Sequence, residues 1–423
     1  MKNYSNRYQS QIKSTLLAFD FVQNDFNTKQ PVDNCLTRYF RTHKFLGSRD
    51  RRLISSIIFG YYRWYGWLRI LVPDLINIKK TLLLAYILEN NQSNDFIKFW
   101  CTETILDFEP PQSFNEQPET ALLEKLKYIQ LFDPDIQLNH LLPDFTPQWI
   151  QDKLAYLQKR PHLWLRSIYS DAYQSLSFLR EKEIPYRIHT QQSSAIEVFN
   201  SFNINECASF KKGELEIQDI SSQMIGLICS PKPDDVWWDV CAGSGGKSLH
   251  LSALMNGSVP VYATEIRKSA FKALKKRVQK KWKNIIPIDW NGKTQLNFPK
   301  TVNKAIVDAP CSCSGTWRRN PELRWQLISE DIEGFVNTQR SILKNIVCNY
   351  PEIKTIVYAT CSILSEENEM IIDHFLKENP HFTTISIKHP LSQKVFSEGI
   401  YILPPESDGN FMFAAILNQN QHE

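Results

Sequence analysis

The sequence predicts an α/β fold in which a doubly wound, mostly parallel sheet follows an all-helical domain and a small α+β domain. Three observations predict it. Apolar residues recur at three- and four-residue spacing over roughly the first 140 positions, the period of amphipathic helices. Short alternating apolar segments follow between about 160 and 215. After 218, β-rich runs alternate with segments long enough to be crossover helices.

Length and composition fit three domains. The chain has 423 residues, and we expect an all-helical domain over 1–145, an α+β domain over 146–217 and the doubly wound domain over 218–423. Hydrophobic residues make up 42% and charged residues 22%, which argues against a disordered, collagenous or coiled-coil chain.

Targeting signals and disulfides are not expected. The apolar run at 82–88 is far shorter than the roughly 20 residues of a membrane span, and the first thirty residues do not resemble a secretory signal. Nine cysteines without regular spacing predict free thiols, and the single C-x-C at 311–313 predicts no metal site. We expect a cytoplasmic monomer without a membrane partner.

The charge is unevenly distributed. Residues 1–70 contain twelve Lys and Arg against four Asp and Glu, and residues 266–283 contain nine basic residues and no acidic one. Either block could attract the phosphates of a nucleic acid, although a solvated helix face is the alternative for the second. The first block concentrates its basic side chains around one predicted turn: Arg38, Arg41, Lys44, Arg49, Arg51 and Arg52.

A glycine-rich turn follows the first strand of the doubly wound domain. Of fourteen glycines, three fall at Gly243, Gly245 and Gly246, between a predicted strand and a predicted helix. Glycines there let backbone approach a ligand and leave helix N-terminal N–H groups facing it. The spacing matches neither the P-loop nor the dinucleotide fingerprint. A tight turn without a ligand is the alternative.

Carboxylates end the next three predicted strands at Glu265, Asp289 and Asp308. Ligands of open α/β sheets bind at the carboxyl ends of the strands, so we expect these groups to meet in one crevice. A carboxylate after the second strand suits a ribose diol. The pattern indicates adenosine without pyrophosphate.

Two cysteines each follow a strand end. Cys311 comes after Asp308-Ala309-Pro310, and Cys361 comes after Thr360. Neighbouring strands would bring both thiols to the crevice beside Asp308. A buried cysteine taken alone is more often an inert apolar side chain.

These motifs together resemble the RsmB/NSUN family of S-adenosylmethionine-dependent RNA cytosine-5 methyltransferases. The resemblance rests on DVCAGSGGKS, DAPCSCSGTWRRNPELRW and YATCSILSEENE. It extends upstream through FKKGELEIQDISSQM and downstream through LPPESDGNFMFAAIL. In the first domain, FLGSRDRRLISSIIFGYYR is similar to the NusB-like RNA-binding bundle of bacterial members. The resemblance implies a Rossmann-like class I methyltransferase domain and an RRM-like second domain.

The resemblance also implies roles for individual residues. Cys361 is expected to be the nucleophile, with its ionisation favoured by the cationic sulfonium and nearby arginines. Asp308 would hydrogen bond to ring nitrogen 3, and Cys311 would assist release of the carbon 5 proton. Glu265 would hold the ribose, Asp289 the adenine edge. The methionine end and the reacting centre of the cofactor would be held by Cys241, Ala242, Gly243, Ser244, Gly245, Gly246, Lys247 and Asp308.

Some expectations stay open. Lys247, Arg318 and Arg319 are candidates for anchoring the cofactor carboxylate or target phosphates, although the two arginines could form only a structural corner. Ser244 replaces a proline of the family pattern, Glu265 replaces an aspartate, and LWLRSIY lacks the asparagine of L-R-x-N. The implied substrate is small-subunit (16S) ribosomal RNA. The alternatives are transfer RNA, an amino-group methyltransferase, and a non-catalytic RNA-binding assembly factor.

Overall fold

The computed structural model describes residues 2–26, 29–72, 77–104, 109–200, 202–279 and 282–420. Lys280 and Lys281 of the basic block at 266–283 lie outside these ranges. The chain divides into two compact units, the first made of Met1–Arg160 with Thr316–Ile328 and the second of Pro161–Gly315 with Ser329–Glu423. The predicted domain boundaries at 145 and 217 are not tested by this division and stay predictions.

The first unit is helical, as predicted. Its leading helices are α1 (Lys2–Phe26), α2 (Val32–Thr42), α3 (Ser48–Leu71), α4 (Ile78–Glu89), α5 (Asp95–Thr104), α6 (Pro118–Gln130) and α7 (Leu154–Leu157). The helices that come later in the chain are α8 (Ser177–Glu181), α9 (Ala208–Lys211), α10 (Ile220–Ile228), α11 (Gly246–Leu254), α12 (Lys268–Val278), α13 (Leu323–Gln326), α14 (Ser329–Asn349), α15 (Glu369–Glu378) and α16 (Pro404–Ser407). Of these, α13 belongs to the helical unit. None of the helices within the described ranges is long and apolar enough to cross a bilayer.

Helix α3 is the centre of the helical unit. It buries the rings of Tyr61, Trp64 and Trp67 among the neighbouring helices. The segment 316–328 packs along it: Arg63 Nη1 donates to the carbonyl oxygen of Arg318 at 3.1 Å, and Trp325 Nε1 donates to that of Tyr62 at 2.7 Å. This segment is therefore an integral part of the helical core.

The second unit contains the strands. They are β1 (Leu163–Ser167), β2 (Tyr186–Ile188), β3 (Ala195–Val198), β4 (Leu215–Ile217), β5 (Trp237–Asp239), β6 (Val261–Thr264), β7 (Ile285–Ile288), β8 (Lys304–Asp308), β9 (Thr355–Thr360), β10 (Phe382–Ile385), β11 (Ile387–Lys388), β12 (Val395–Phe396), β13 (Ile400–Ile402) and β14 (Met412–Gln419). The first four form an antiparallel sheet in the order β2-β3-β1-β4, and β11 pairs with β12.

The large sheet has the order β10-β14-β9-β8-β5-β6-β7, with β13 paired to β14. Strands β5 to β9 are parallel, and β14 is antiparallel to β9. The chain moves outward from β5 through β6 and β7, then returns to the other side of β5 for β8. This reversal opens a crevice at the carboxyl ends of β5 and β8. The predicted Rossmann-like, doubly wound fold is confirmed.

Candidate active site

The glycine-rich turn joins β5 to α11 at the crevice. Gly243 and Gly245 have φ angles of +57° and +90°, the left-handed region that favours glycine. A Cβ on Gly245 would also lie 2.6 Å from Leu274 Cδ1. The turn thus presents bare backbone, with Gly246 as the first residue of α11. Cys241, Ala242 and Ser244 line the same turn, and Arg277 donates to Ser244.

Glu265, directly after β6, is tied to the glycine turn. Its Oε2 accepts from Gly243 N–H at 2.8 Å and from Arg267 Nη2 at 2.9 Å, while Oε1 accepts from Arg267 N–H and Nε. Burial acts to raise the pKa of Glu265, but the hydrogen bonds and charge of Arg267 outweigh burial and lower it. A ribose diol would share or replace the Arg267 contacts, which the 69% exposed Arg267 side chain can vacate.

The two other predicted carboxylates, Asp289 and Asp308, lie at the carboxyl ends of β7 and β8, which flank the pair β5 and β6 in the sheet. Asp289 is exposed at the end of β7. Asp308 is the last residue of β8, and its Oδ2 accepts from Lys247 Nζ at 2.6 Å. Lys247 lies on α11, one residue past the glycine turn. This ion pair therefore links the glycine turn to the strand that precedes Cys311.

The two predicted thiols meet. Cys311 Sγ and Cys361 Sγ are 3.4 Å apart, although 50 residues separate them in the chain. Cys311 is buried and Cys361 half-buried. The loops that bear them are joined by backbone hydrogen bonds, since Gly315 N–H donates to the carbonyl oxygen of Cys361 at 2.9 Å. A Cβ on Gly315 would lie 2.4 Å from the Phe411 carbonyl oxygen, so this approach requires glycine.

The thiols of Cys311 and Cys361 both have raised pKa values in the described structure. The pKa of Cys361 is raised: the thiol of Cys311 lowers it, but the thiol of Cys313, burial and the charge of Asp308 together outweigh that contribution. The pKa of Cys311 is raised by its thiol neighbours and by burial. The pKa of Cys313, by contrast, is lowered by the thiols of Cys311 and Cys361 and by the charge of Arg267. The expectation that the sulfonium and nearby arginines favour ionisation of Cys361 stays a prediction.

Arg318 is fully buried in the helical unit, where its Nε donates to the carbonyl oxygen of Lys159 at 3.2 Å. Of the two roles that the sequence left open, this position favours the structural corner over the phosphate anchor.

Glu367 was missed by the sequence analysis. Its carboxylate accepts from Ser312 N–H at 2.8 Å, from Ser312 Oγ and Ser362 Oγ at 2.5 Å each, and from Gln339 Nε2 at 3.1 Å. Ser312 follows Cys311 and Ser362 follows Cys361, so one buried carboxylate holds both thiol-bearing loops. Its only sequence signal was its place inside YATCSILSEENE, where a glutamate looks like a solvated side chain.

Comparison with known proteins agrees with this geometry. Residues 226–418 match the family described as 16S rRNA methyltransferase RsmB/F. A Ribosomal RNA small subunit methyltransferase B from Photorhabdus laumondii is 29% identical over 250 residues, 58% of each chain. The same-named protein of Pasteurella multocida is 25% identical over 72% of this chain and 69% of its own. The match to the first of these relatives thus spans less than two thirds of its length.

Solved structures share the fold. The crystal structure of PH0851 has a TM-score of 0.70 at 20% identity and covers 95% of this chain and 98% of its own. That of NSun6 from Pyrococcus horikoshii with SFG has a TM-score of 0.56 at 14% identity, over 66% of this chain and 99% of its own. These two likenesses show the shared fold, and the match of residues 226–418 places that segment in the RsmB/F rRNA methyltransferase family.

Proposed function

We propose that this chain transfers a methyl group from S-adenosylmethionine to carbon 5 of a cytosine in 16S ribosomal RNA, through a covalent cysteine-cytosine adduct. The observation that carries the proposal is the 3.4 Å separation of the Cys311 and Cys361 sulfurs at the carboxyl ends of β8 and β9. Carbon 5 of cytosine is a poor nucleophile, and a thiolate adding at carbon 6 makes it reactive. The choice of RNA is supported by the names of the family and of the relatives.

The crevice fits the cofactor. When bound, S-adenosylmethionine supplies an electrophilic methyl group on a cationic sulfonium. Glu265 and Asp289 offer carboxylate acceptors at the ends of adjacent strands, for the ribose and the adenine edge respectively. The left-handed glycines Gly243 and Gly245 form the tight turn that would receive the methionine end. The residues that would hold the cofactor are Cys241, Ala242, Gly243, Ser244, Gly245, Gly246, Lys247, Glu265, Asp289 and Asp308.

The bond between Cys361 and carbon 6 of the cytosine is the first to form and the last to break. The Cys361 thiolate forms a bond to carbon 6, the ring electrons move to carbon 5, and carbon 5 takes the methyl group as the methyl-sulfur bond of the cofactor breaks and leaves a neutral thioether. Cys311 then assists removal of the carbon 5 proton, those electrons re-form the double bond, and the bond from Cys361 to carbon 6 breaks. The 3.4 Å spacing allows both sulfurs to act on one pyrimidine, one at carbon 6 and the other at carbon 5.

Asp308 and Lys247 act on the ring edge. Negative charge builds toward nitrogen 3 as the thiolate adds, and a donor there stabilises it. We assign this contact to Asp308, and the ammonium of Lys247, 2.6 Å from its Oδ2, would supply the positive charge and the protons that the carboxylate alone lacks. Both side chains are buried or half-buried, which strengthens the interaction.

The helical unit is proposed to contact RNA. Arg38, Arg41, Lys44 and Arg49 are exposed around the turn between α2 and α3. Beside that turn lies a groove of about 550 Å³, whose walls include Arg7, Arg49 and the exposed ring of Phe45. Positive side chains with an exposed aromatic ring suit phosphates and an unstacked base.

Two cysteine variants test the reaction. We expect Cys361→Ala to abolish methyl transfer to RNA, whereas Cys311→Ala accumulates a protein-RNA adduct that survives a denaturing gel. The adduct should disappear in the double variant, which is the matched control. If both single variants methylate RNA at the wild-type rate, the assigned roles are wrong. Bisulfite mapping of total RNA, with and without the gene, identifies the cytosine and separates ribosomal from transfer RNA.

A further inference from the structure

A third thiol lies beside the proposed reacting pair. The sulfur atoms of Cys311, Cys313 and Cys361 all lie within 4.8 Å of one another. Cys313 Sγ also lies 3.5 Å from the carbonyl oxygen of Cys311. The proposed reaction uses two sulfurs and leaves the sulfur of Cys313 without a role.

The backbone turns Cys313 toward the other two. Its φ angle is +56°, a left-handed conformation that is unfavourable for a non-glycine residue. The flanking residues hold it there: Ser312 is bound by Glu367, and Ser314 Oγ lies 3.0 Å from Ser362 Oγ and accepts from Ile363 N–H at 3.0 Å. The third thiol is therefore held in place, which favours a defined three-sulfur site over a chance approach.

The spacing matches a thiolate metal site. A zinc-sulfur bond of about 2.3 Å places three sulfurs around one ion at separations of roughly 3.7–4.0 Å. The Cys311–Cys361 sulfur separation is 3.4 Å and all three separations are within 4.8 Å, so only small side-chain rotations are needed. Cys313 and Cys361 are half-buried, which leaves one side of the site open for a fourth ligand.

We propose that Cys311, Cys313 and Cys361 form a three-thiolate site for a thiophilic d¹⁰ cation such as Zn²⁺ or Cd²⁺. Binding forms three metal-sulfur bonds and displaces the protons of the protonated thiols to solvent, so three thiolates and one divalent cation together carry one net negative charge. The positive charges of Lys247 and Arg267 act on Cys361 and Cys313 respectively. Each of these two cations is also paired with a carboxylate, Asp308 and Glu265 respectively.

One consequence rests on the proposed function. The ion takes up both sulfurs that the methylation reaction needs, so a loaded protein cannot add to a cytosine. The site would make methyl transfer reversibly sensitive to thiophilic metals. Metal binding itself does not depend on that reaction and is measured without RNA or cofactor.

A cadmium titration tests the site. Purified full-length protein, kept reduced with a phosphine, is titrated with Cd²⁺ while the thiolate-to-cadmium charge-transfer absorption is followed in the ultraviolet. We expect one ion per chain, an absorption increase typical of three thiolates, and proton release into a weak buffer. Cys313→Ala should lower the affinity by at least about tenfold and remove one third of the absorption.

Controls separate the site from other thiols and from misfolding. Cys348→Ala removes an exposed cysteine elsewhere and should leave the titration unchanged. Cys313→Ser keeps the shape of the side chain without the thiolate and should behave as Cys313→Ala does, with a wild-type melting temperature. An absent charge-transfer band in the wild type, or wild-type affinity in both Cys313 variants, overturns the proposal. If cadmium binds as expected but the Cys361 variant still methylates RNA, the metal site stands and the proposed reaction fails.

Discussion

Two regions of the molecule, the thiol-bearing loops and the segment 316–328, differ in how they satisfy a buried glutamate. In the thiol-bearing loops, the carboxylate of Glu367 accepts four hydrogen bonds from Ser312, Ser362 and Gln339. In the segment 316–328, Glu322 Oε1 accepts one from Val32 N–H at 3.2 Å, while its buried Oε2 has no hydrogen-bond partner among the residues that the structure describes. Burial raises the pKa of both carboxyl groups, but only at Glu367 do several hydrogen bonds oppose burial and fix the surrounding geometry.

The two regions also differ in what pH does to them. Burial raises the pKa of Glu322 to about 7, so protonation of this carboxyl group stabilises the folded helical unit. The thiol of Cys361 likewise has a raised pKa, but the proposed chemistry needs its deprotonated form. Rising pH should therefore help the reaction and weaken the helical unit.

Removal of the Glu367 carboxylate should have the largest effect, because it tests whether the hydrogen-bonded glutamate, unlike Glu322, fixes the geometry around it. Glu367→Ala leaves Ser312, Ser362 and Gln339 without their acceptor, which should cost about 3 kcal/mol of folding free energy. Loss of the thiol alignment should lower kcat on the order of 100-fold, since small misplacements have effects of this size. Urea unfolding and single-turnover methylation measure the two quantities.

A conservative variant separates positioning from general damage. In Glu367→Gln, the amide oxygen still accepts from Ser312 N–H. The amide NH₂ group can donate to the hydroxyl oxygens of both Ser312 and Ser362. We expect this variant to recover most of the lost kcat, while the cofactor dissociation constant stays at the wild-type value in both variants. A Glu367→Ala protein that is destabilised but has an unchanged kcat would show that the carboxylate does not position the thiols.

The pH dependence of the rate should follow the thiols. Below the pKa of Cys361, the thiolate fraction rises with pH, so the single-turnover rate should rise about tenfold per pH unit until it levels off. Rapid-quench measurements from pH 6 to 9 with saturating cofactor and RNA provide the profile. A rate that is flat across the neutral range would mean that bound ligands fully ionise the thiol.

Glu322→Gln should produce the smallest of these effects, with the opposite sign. Glu322 binds its proton more tightly in the folded than in the unfolded protein, where the pKa is about 4.3. Its contribution is therefore fully favourable below a pH of about 4.3 and is lost as pH rises toward 7. Glu322→Gln should stabilise the protein at pH 8 by on the order of 2 kcal/mol, and by much less at pH 5.

Urea unfolding at the two pH values measures the Glu322 effect. The expected result is a larger gain for Glu322→Gln at pH 8 than at pH 5. Equal effects at both pH values would show that Glu322 does not titrate as inferred. The matched control is Glu330→Gln, a substitution at an exposed glutamate in the first turn of α14, which should change stability little.

Local sequence was sufficient for the elements that carry the site. Strand, glycine turn and helix are encoded within 237–254, and each carboxylate ends its strand where the alternation of apolar residues stops. The meeting of Cys311 and Cys361 could also be predicted, because neighbouring parallel strands bring the loops at their carboxyl ends to one edge of the sheet. Periodicity and topology are properties of short segments, and a sequence displays them directly.

Only the tertiary structure determined which side chains form hydrogen bonds, ion pairs and sulfur contacts with one another. Arg267 occupies the carboxylate predicted for a ribose, Glu367 joins two loops, and Cys313 becomes a third sulfur at the site. The segment 316–328, part of a single motif by sequence, packs inside the helical unit. Hydrogen-bond partners and burial depend on which distant segments meet, so the raised pKa values and the shared carboxylate exist only once the chain has folded.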